Sequence, residues 1–194
     1  LKRAKDSFDI SLLVPKLGPK KDTVPITWIQ PSSFFSLSGY PSMKLSFSNF
    51  KNIKEAIKNT EIVFIQGPGM ISYLSMWYGH KYKKKTLFYV HVISWELFAK
   101  FLPPLLNRLF FRLIRKISIK LYNKCDEILV PYNQLKEQLQ KEGVTTKMTV
   151  ARLGGDIDSF TPLDKQKSKK ALGLSPHVQV IGYVGRISRE KNTN

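Results

Sequence analysis

Short, almost continuous apolar segments alternate with helix-like segments along most of this 194-residue chain. Strands that are apolar at successive positions predict a parallel sheet covered on both faces, because the helices that connect parallel strands pack on those faces. The alternation therefore predicts an α/β fold with a doubly wound parallel sheet. The predicted strands are residues 8–17, 24–30, 61–66, 86–92, 127–132 and 147–153.

Helical signals fill the intervals between most of these strands. In residues 49–59 apolar side chains recur at a helical spacing, and Ser48 or Asn49 is placed to cap the first turn. Gly143 is placed to end a helix that starts at residue 133. A loop rich in Ser and aromatic residues is expected between the second predicted strand and the first helix. The predicted helices are residues 49–59, 70–79, 105–123 and 133–143.

A change of composition after residue 155 indicates a domain boundary. Turn residues, charges and a short basic helix dominate the next segment, and a new apolar strand, VQVIGYV, begins at Val178. We therefore predict a first domain at residues 1–155, a linker at 156–176 and the start of a second α/β domain at 177–194. A lone strand does not form a stable sheet and the chain begins with Leu1, so we expect a fragment of a longer protein.

The charge of the chain limits its partners. Thirty-two Lys and Arg residues against fourteen Asp and Glu residues give a net charge of +18 and an isoelectric point near 10.0. This balance favours an anionic membrane surface, nucleic acid or phosphorylated ligands. Cys125 is the single cysteine, which excludes an internal disulfide and a cysteine-rich zinc site. No uninterrupted apolar stretch is long enough to predict a transmembrane helix.

The basic charge is concentrated between Gly79 and Cys125, a segment with eleven Lys or Arg residues and one acidic residue, Glu96. Its long helix carries an apolar stripe that we expect to face the core and a separate basic stripe. Such a helix either lies on an anionic bilayer or is a core helix with a solvated basic face. The nearby KYKKK segment favours the bilayer, and no nucleic-acid-binding motif is present. The expected core stripe is Leu106, Phe110, Leu113, Ile117 and Leu121, and the candidate membrane contacts are Lys83, Lys84, Arg108, Arg112, Arg115 and Lys116.

Three further motifs are candidates for chemistry, each with a structural alternative. His91 follows a predicted strand, where α/β sheets place ligand contacts, although a lone histidine there is more often structural. Gly185, Arg186 and Lys191 form a strand-to-helix turn that suits phosphate but also occurs as an ordinary solvated turn. Asp156 and Asp158 are spaced for a divalent cation, but a local turn is favoured because no other ligand lies nearby in sequence.

Taken in order, these segments resemble the family 4 retaining glycosyltransferases, whose two-domain fold is called GT-B. The resemblance covers nearly the whole chain. IVFIQGPG resembles the family's strand and glycine turn, YVHVISWELF its histidine segment, and CDEILVPYNQLKEQLQKEG its next strand and helix. GGDIDSFTP is similar to the family linker, and GYVGRISREKN to the opening of the sugar-nucleotide domain. The linker reads LGGD where Asn-Gly-Val-Asp is common in the family, and VISWELF departs from the usual residues after the histidine.

The resemblance implies a division of roles along the chain. Residues 1–155 would be an acceptor-side, Rossmann-like domain whose first strand is missing, and the donor domain would be truncated after its first strand. His91, Gly67 and Gly69 would line the acceptor side. Gly185, Arg186 and Lys191 would bind the donor diphosphate, with His91, Arg186 and Lys191 as the catalytic set. A nucleotide sugar would be the co-substrate, and neither a cofactor nor a metal ion is expected.

The resulting hypothesis is a glycosyltransferase fragment that acts on a lipid or lipid-linked acceptor with retention of configuration. We expect it to be cytoplasmic and peripheral at the inner face of the membrane, with nucleic acid not expected as a partner. This truncated chain alone would have little activity, because half of the interdomain cleft is missing. The alternative is a non-catalytic basic α/β module that binds an anionic membrane or nucleic acid.

Overall fold

The computed structural model describes residues 6–18, 24–37, 40–99, 104–155 and 160–185. The chain divides into two compact units, Leu1–Ala151 and Arg152–Asn194. The division falls close to residue 155, where the sequence predicts the end of the first domain.

Within the described residues, the first unit contains strands and helices that alternate after residue 46. The strands are Leu12–Pro15 (β1), Ile26–Ile29 (β2), Pro31–Leu37 (β3), Tyr40–Met43 (β4), Ile62–Gln66 (β5), Lys85–Tyr89 (β6), Glu127–Val130 (β7) and Met148–Val150 (β8). The helices of this unit are Phe47–Lys58 (α1), Met70–Lys81 (α2), Ser94–Ala99 (α3), Pro104–Tyr122 (α4) and Asn133–Lys141 (α5). The second unit contains a short helix, Lys165–Ala171 (α6).

The centre of the first unit is a four-stranded parallel sheet in the order β5-β6-β7-β8. Each strand pairs in parallel with the next, and successive strands are connected through helices. Strands β1 and β2 form a separate parallel pair. The α/β class with a parallel sheet, as in the Rossmann-like domain of a GT-B fold, is thus confirmed.

The two faces of the central sheet differ in their cover. Val63, Ile65 and Phe88 belong to one buried cluster with side chains from α1, α2, α4 and α5. The alternate side chains of β5 point the other way, and Ile62 and Phe64 are 42% and 52% exposed. Among the described residues, the helices therefore pack against one face of this sheet.

Two features of the first unit anchor its helices to the strands. The side chain of Asn49 on α1 accepts a hydrogen bond from Gln30 N and donates to Gln30 O and Lys44 O, at 2.8–2.9 Å. On α2, Gly79 lies so close to β6 that a Cβ there would come within 2.5 Å of Thr86 Oγ1. This contact brings the α2 backbone directly onto the sheet.

The sequence prediction was wrong for the segment between β2 and α1. The expected loop is an antiparallel hairpin of β3 and β4, with a register shift between Pro31 and Ser36. The hydrogen bonds of a hairpin come from the backbone, so a run of Ser and Pro gives little sequence signal for it. The first turn of α1 also starts earlier than predicted, because Ser46 is its N-cap and accepts a hydrogen bond from Asn49 N.

The prediction for the buried face of α4 was wrong for three residues and correct for Leu121, which packs against the core. The side chain of Leu106 lies outside the described residues. Phe110, Leu113 and Ile117, expected in the core, are 40%, 50% and 43% exposed. Phe111 and Ile119, which are not part of the expected core stripe, are partly buried and pack against the core. The helix carries apolar side chains on opposite sides, so its sequence does not determine which side is buried.

The second unit is described by itself. Asp164 caps α6 by accepting a hydrogen bond from Lys167 N at 2.8 Å. Residues 178–184, where a strand was expected, pair with no described strand. Ile181 and Val184 are fully exposed there. Among the described residues, the predicted donor-domain strand therefore has no neighbouring strand.

Candidate active site at the carboxyl edge of the sheet

The four parallel strands of the central sheet end at a common edge. Gln66 pairs with Tyr89, Tyr89 pairs with Leu129, and Val130 pairs with Val150. The loops that follow these residues therefore emerge side by side. Ligands of open α/β sheets bind at this carboxyl edge, so the candidate site is built from its loops.

The loop after β5 contains Gly67, Pro68 and Gly69. Gly67 has φ of 72°, a conformation that side chains rarely adopt, and its N–H donates to Tyr89 O at 3.4 Å. Open space surrounds a Cβ built at Gly67, so the backbone conformation, not crowding, requires glycine there. Gly69, the N-cap of α2, makes no side-chain hydrogen bond to the first turn of this helix. Because α2 begins directly after the glycine loop, the N–H groups of its first turn lie at the same edge of the sheet.

His91 lies in the neighbouring loop, just beyond the end of β6. Its ring centroid is 4.5 Å from that of Tyr89, and the two rings are tilted by 36°. Tyr89 is buried, and its hydroxyl donates to Ala151 O at 2.6 Å, beyond the end of β8. The exposed imidazole of His91 thus packs against the Tyr89 ring, which is held by strand β6 at one end and by its hydroxyl hydrogen bond at the other. The structure brings His91 to the same edge as Gly67 and Gly69.

Buried hydroxyl groups hold the chain that follows His91. Ser94 Oγ is 2.5 Å from Tyr122 OH, and Tyr73 OH is 2.6 Å from Ser118 Oγ. The two pairs link α2 to α4 and α3 to α4, so the three helices are joined through α4. Burial raises the pKa of both Tyr73 and Tyr122, which keeps these phenols neutral. These hydrogen bonds therefore hold the chain that follows His91.

The short helix α3 was not predicted from the sequence. Trp95 is buried against Tyr122, with ring centroids 6.1 Å apart, while Val92 remains 44% exposed. The chain after His91 therefore turns inward within three residues. A Ser followed by apolar residues at a helical spacing was the available signal, but six residues are too few for the spacing to be decisive.

Sequence reasoning also assigned no role to Tyr132. This residue directly precedes α5 at the end of the β7 loop and is 50% exposed. It lies at the same carboxyl edge as His91. The available signal was its position, because Tyr132 follows an apolar strand just as His91 does.

The predicted donor-side residues are only partly described. Gly185 lies in the second unit, where a Cβ would come within 2.7 Å of the Tyr183 hydroxyl. Arg186 and Lys191, together with Asp156 and Asp158, lie outside the described residues. The predicted donor contacts and the preference for a turn over a metal site therefore stay predictions.

The predicted membrane contacts occupy different parts of the first unit. Lys83 and Lys84 precede β6, at the amino edge of the sheet, whereas His91 follows β6 at the carboxyl edge. Five strand residues at about 3.3 Å each separate the two edges by about 16 Å. Arg112 and Lys116 are exposed on α4. The side chain of Arg108 lies outside the described residues.

Arg115 differs from these neighbours because it is paired within the protein. Its Nε donates to Glu142 Oε2, and its guanidinium also donates to Glu142 O at 3.4 Å. The pair links α4 to the end of α5. Arg115 is therefore only partly available to an external anion.

Two properties of the described part of the chain bear on the class of site. No group of three or more His, Cys, Asp or Glu side chains is arranged to hold a metal ion. Within the same residues, no helix has both the length and the apolar character needed to cross a bilayer.

Comparison with known proteins assigns the family. The model of Glycosyltransferase Family 4 matches residues 3–159. D-inositol 3-phosphate glycosyltransferases of Mycobacterium sp. strains KMS, MCS and JLS are each 34% identical over 67 residues. Those residues are 34% of this chain and 15% of each relative, so the match spans a small part of the relatives' length. The family match covers most of the chain, and the chain belongs to Glycosyltransferase Family 4.

Proposed function

We propose that the chain is the acceptor-side part of a glycosyltransferase that moves a sugar from a nucleotide sugar to a lipid or lipid-linked acceptor. The observation that carries the proposal is the placement of His91 beside the glycine loop at the carboxyl edge of a family 4 domain. An open edge with a fixed imidazole and exposed backbone N–H groups suits the hydroxyl groups of an acceptor. Transfer would retain the configuration of the donor sugar.

His91 would contact the acceptor next to the reacting carbon. A neutral imidazole has one donor and one acceptor nitrogen, so it can hydrogen-bond a hydroxyl group in either sense. The ring of Tyr89 and the buried Ser94–Tyr122 hydroxyl pair fix the chain on both sides of His91. Preorganisation of this kind lowers the entropic cost of holding the acceptor in place.

The donor would be held by Gly185, Arg186 and Lys191. Glycine lets the backbone approach a diphosphate, a guanidinium binds two phosphate oxygens at once, and a lysine adds a point charge. These cations would stabilise the negative charge that develops on the departing nucleotide. Residues with these roles need no bound metal ion, and we propose a metal-independent reaction.

A lipid or lipid-linked acceptor is favoured by the surface of α4. Its outer side combines exposed apolar side chains with Arg112 and Lys116, and the whole chain carries a charge of +18. Such a surface suits a peripheral protein at the inner, anionic face of the cytoplasmic membrane. The names of the mycobacterial relatives indicate a different acceptor, inositol 3-phosphate, which is small and soluble. We propose the lipid acceptor first and test both.

The test is transfer by the full-length transferase with a panel of nucleotide sugars, offered either a membrane lipid extract or inositol 3-phosphate. His91→Ala and Arg186→Ala are expected to lower kcat by about 100-fold or more, because each removes a contact at the reacting groups. The matched control is His80→Ala, since His80 is exposed on α2 at the opposite edge of the sheet. Full activity of folded His91→Ala and Arg186→Ala enzymes would contradict the assigned roles. Product anomers identified by NMR spectroscopy test retention.

A second candidate is a non-catalytic module that binds an anionic membrane or nucleic acid. The exposed basic side chains at Lys83, Arg112 and Lys116 favour it. Absence of transfer by the full-length protein, combined with salt-sensitive binding to anionic vesicles or RNA, would support the module over the enzyme.

A further inference from the structure

We propose that α2 and α4 together form a membrane-insertion surface, in which Trp77 and Met70 of α2 extend the exposed apolar stripe of α4. The inference deepens the proposed function, since it identifies how a lipid acceptor would be reached. Its partner is a bilayer that contains anionic lipid.

The first part of this surface is the outer side of α4. Phe110, Leu113 and Ile117 lie three and four residues apart, so they form one stripe along the helix. Each is at least 40% exposed, whereas Ser118 and Tyr122 on the inner side are buried. An amphipathic helix with its apolar side toward solvent leaves an area that a partner can cover.

The second part is the outer side of α2. Met70 and Trp77 are seven residues apart and therefore on the same side of this helix, and they are 41% and 42% exposed. The hydrogen bond between Tyr73 and Ser118 fixes α2 beside α4. Tyr73 lies about one turn from both Met70 and Trp77, and Ser118 directly follows Ile117. The two exposed stripes thus lie on neighbouring helices close to their contact.

The charges around these stripes identify an anionic partner. Neither residues 70–95 nor residues 97–125 contain an acidic side chain. Lys81 Nζ lies 5.0 Å from the centre of the Trp77 ring, and Arg112, Lys116 and Lys120 are exposed along α4. A second copy of the chain would bring like charges together in a symmetric interface, which is unfavourable. Nucleic acid would pair with the cations but would leave the exposed apolar stripe uncovered.

A bilayer satisfies both kinds of side chain. In an interfacial helix the apolar side enters the boundary between head groups and acyl chains, and Lys and Arg reach the lipid phosphates. Tryptophan prefers this level because its ring is apolar and its N–H remains hydrated. Because α4 runs between the two edges of the sheet, the strands would lie along the bilayer. The carboxyl-edge site would then open beside the membrane surface.

The experiment measures binding of the 194-residue chain to vesicles of phosphatidylcholine with and without phosphatidylglycerol. Trp77 fluorescence is isolated as the difference between the wild-type and Trp77→Phe spectra, because Trp28 and Trp95 also emit. We expect a blue shift with anionic vesicles and quenching of Trp77 by brominated acyl chains. Trp77→Ser and Ile117→Ser are each expected to raise the dissociation constant about fivefold, because each removes apolar area that binding buries.

The matched control is Phe64→Ser, which alters an aromatic side chain of similar exposure on the sheet face opposite the helix-covered face. Urea denaturation verifies that each variant is folded. Equal losses from Phe64→Ser, or vesicle binding without a Trp77 response, would overturn the proposal. So would a dimer in solution that Ile117→Ser dissociates while vesicles remain unbound. If the full-length enzyme transfers sugar to soluble inositol 3-phosphate but does not bind vesicles, the membrane-insertion surface is wrong and the proposed transferase activity stands.

Discussion

The inner and outer sides of α4 reverse the distribution expected for a helix of a folded domain. The inner side buries the hydroxyl groups of Ser118 and Tyr122, and the outer side exposes Phe110, Leu113 and Ile117. Each buried hydroxyl has a partner, Tyr73 for Ser118 and Ser94 for Tyr122. The inner side is therefore stabilised within the chain, whereas the outer side has apolar area that nothing described in the chain covers.

The buried residues of α4 therefore stabilise the fold, whereas its exposed apolar residues are available to contact a partner. Buried hydroxyl pairs restrict the arrangement of α2, α3 and α4, since any shift leaves a polar group without its hydrogen bond. Exposed apolar side chains impose no such restriction. Substitutions on the two sides of α4 should accordingly affect different properties. Three predictions test this, and a fourth concerns a polar pair on the sheet; they follow in order of expected effect.

The largest effect is expected from Tyr122→Ala. The Tyr122 side chain is fully buried and lies 4.8 Å from Phe88 between ring centroids, so truncation leaves a cavity. We expect the free energy of unfolding to fall by about 3–5 kcal/mol. On the outer side, Leu113→Ala should change it by less than about 0.5 kcal/mol. Urea denaturation followed by circular dichroism measures both, and equal losses would show that the two sides do not differ.

A smaller effect is expected from the hydrogen bond between Tyr73 and Ser118. Tyr73→Phe or Ser118→Ala leaves a buried hydroxyl without this partner and should cost about 1–3 kcal/mol of unfolding free energy. The double variant should lose less than the sum of the two single losses, because one interaction is counted in both. Tyr132→Phe is the control, since that side chain is half-exposed. Additive losses in the double-mutant cycle would mean that the two hydroxyls do not interact.

The sequence was sufficient for the central sheet and insufficient for the orientation of α4. Strands such as IVFIQ and EILV are apolar over most of their length, and that pattern has few folded outcomes other than a parallel sheet. In α4, by contrast, Phe110 and Phe111 are adjacent and face different sides. Only the partners on other elements determine which phenylalanine is turned inward, and the local pattern does not contain them.

The candidate site was also predicted only in part, since the sequence indicated the position of His91 but not the contacts that hold it. A histidine after an apolar strand was found from its position, because carboxyl edges collect ligand contacts. The hydrogen bonds that hold the neighbours of His91 in place were not predicted. Tyr89 bonds Ala151 across the intervening strand β7, and Ser94 bonds Tyr122 on another helix. Contacts between residues so far apart in sequence depend on the fold. The donor-side roles of Arg186 and Lys191 remain predictions.

A third and smaller effect distinguishes two arginines on α4. Arg115 pairs with Glu142, so Arg115→Ala should lower the free energy of unfolding by about 0.2–1 kcal/mol, a loss that high salt reduces. Arg112→Ala should leave stability unchanged, because Arg112 is exposed. The effects on binding to anionic vesicles should have the opposite order, and Arg112→Ala should weaken binding more than Arg115→Ala. Identical behaviour of both variants in both measurements would contradict the assignment of Arg115 to the fold.

The smallest effect concerns Glu127 on β7, whose carboxylate is paired by polar neighbours, unlike the exposed apolar side chains of α4. The Thr149 hydroxyl donates to Glu127 Oε1 at 2.5 Å, and Lys147 Nζ lies 3.2 Å away. These contacts, with Thr149 first, lower the pKa of Glu127 from its ordinary value of 4.5. A lowered pKa in the folded state means that the stabilisation is present above pH 4.5 and is lost as the pH falls through the folded-state value.

Thr149→Val removes the first of these contacts and should raise the pKa of Glu127 toward its ordinary value, as followed by NMR titration of the side-chain carboxyl group. Thr145→Val, in the turn before β8, leaves the contacts of Glu127 in place and should not move its titration. An unchanged titration in Thr149→Val would mean that Lys147 alone accounts for the shift, and high salt would then abolish it. Either result leaves a contrast with Leu113 and Ile117 of α4, whose exposed apolar side chains can form neither a hydrogen bond nor an ion pair.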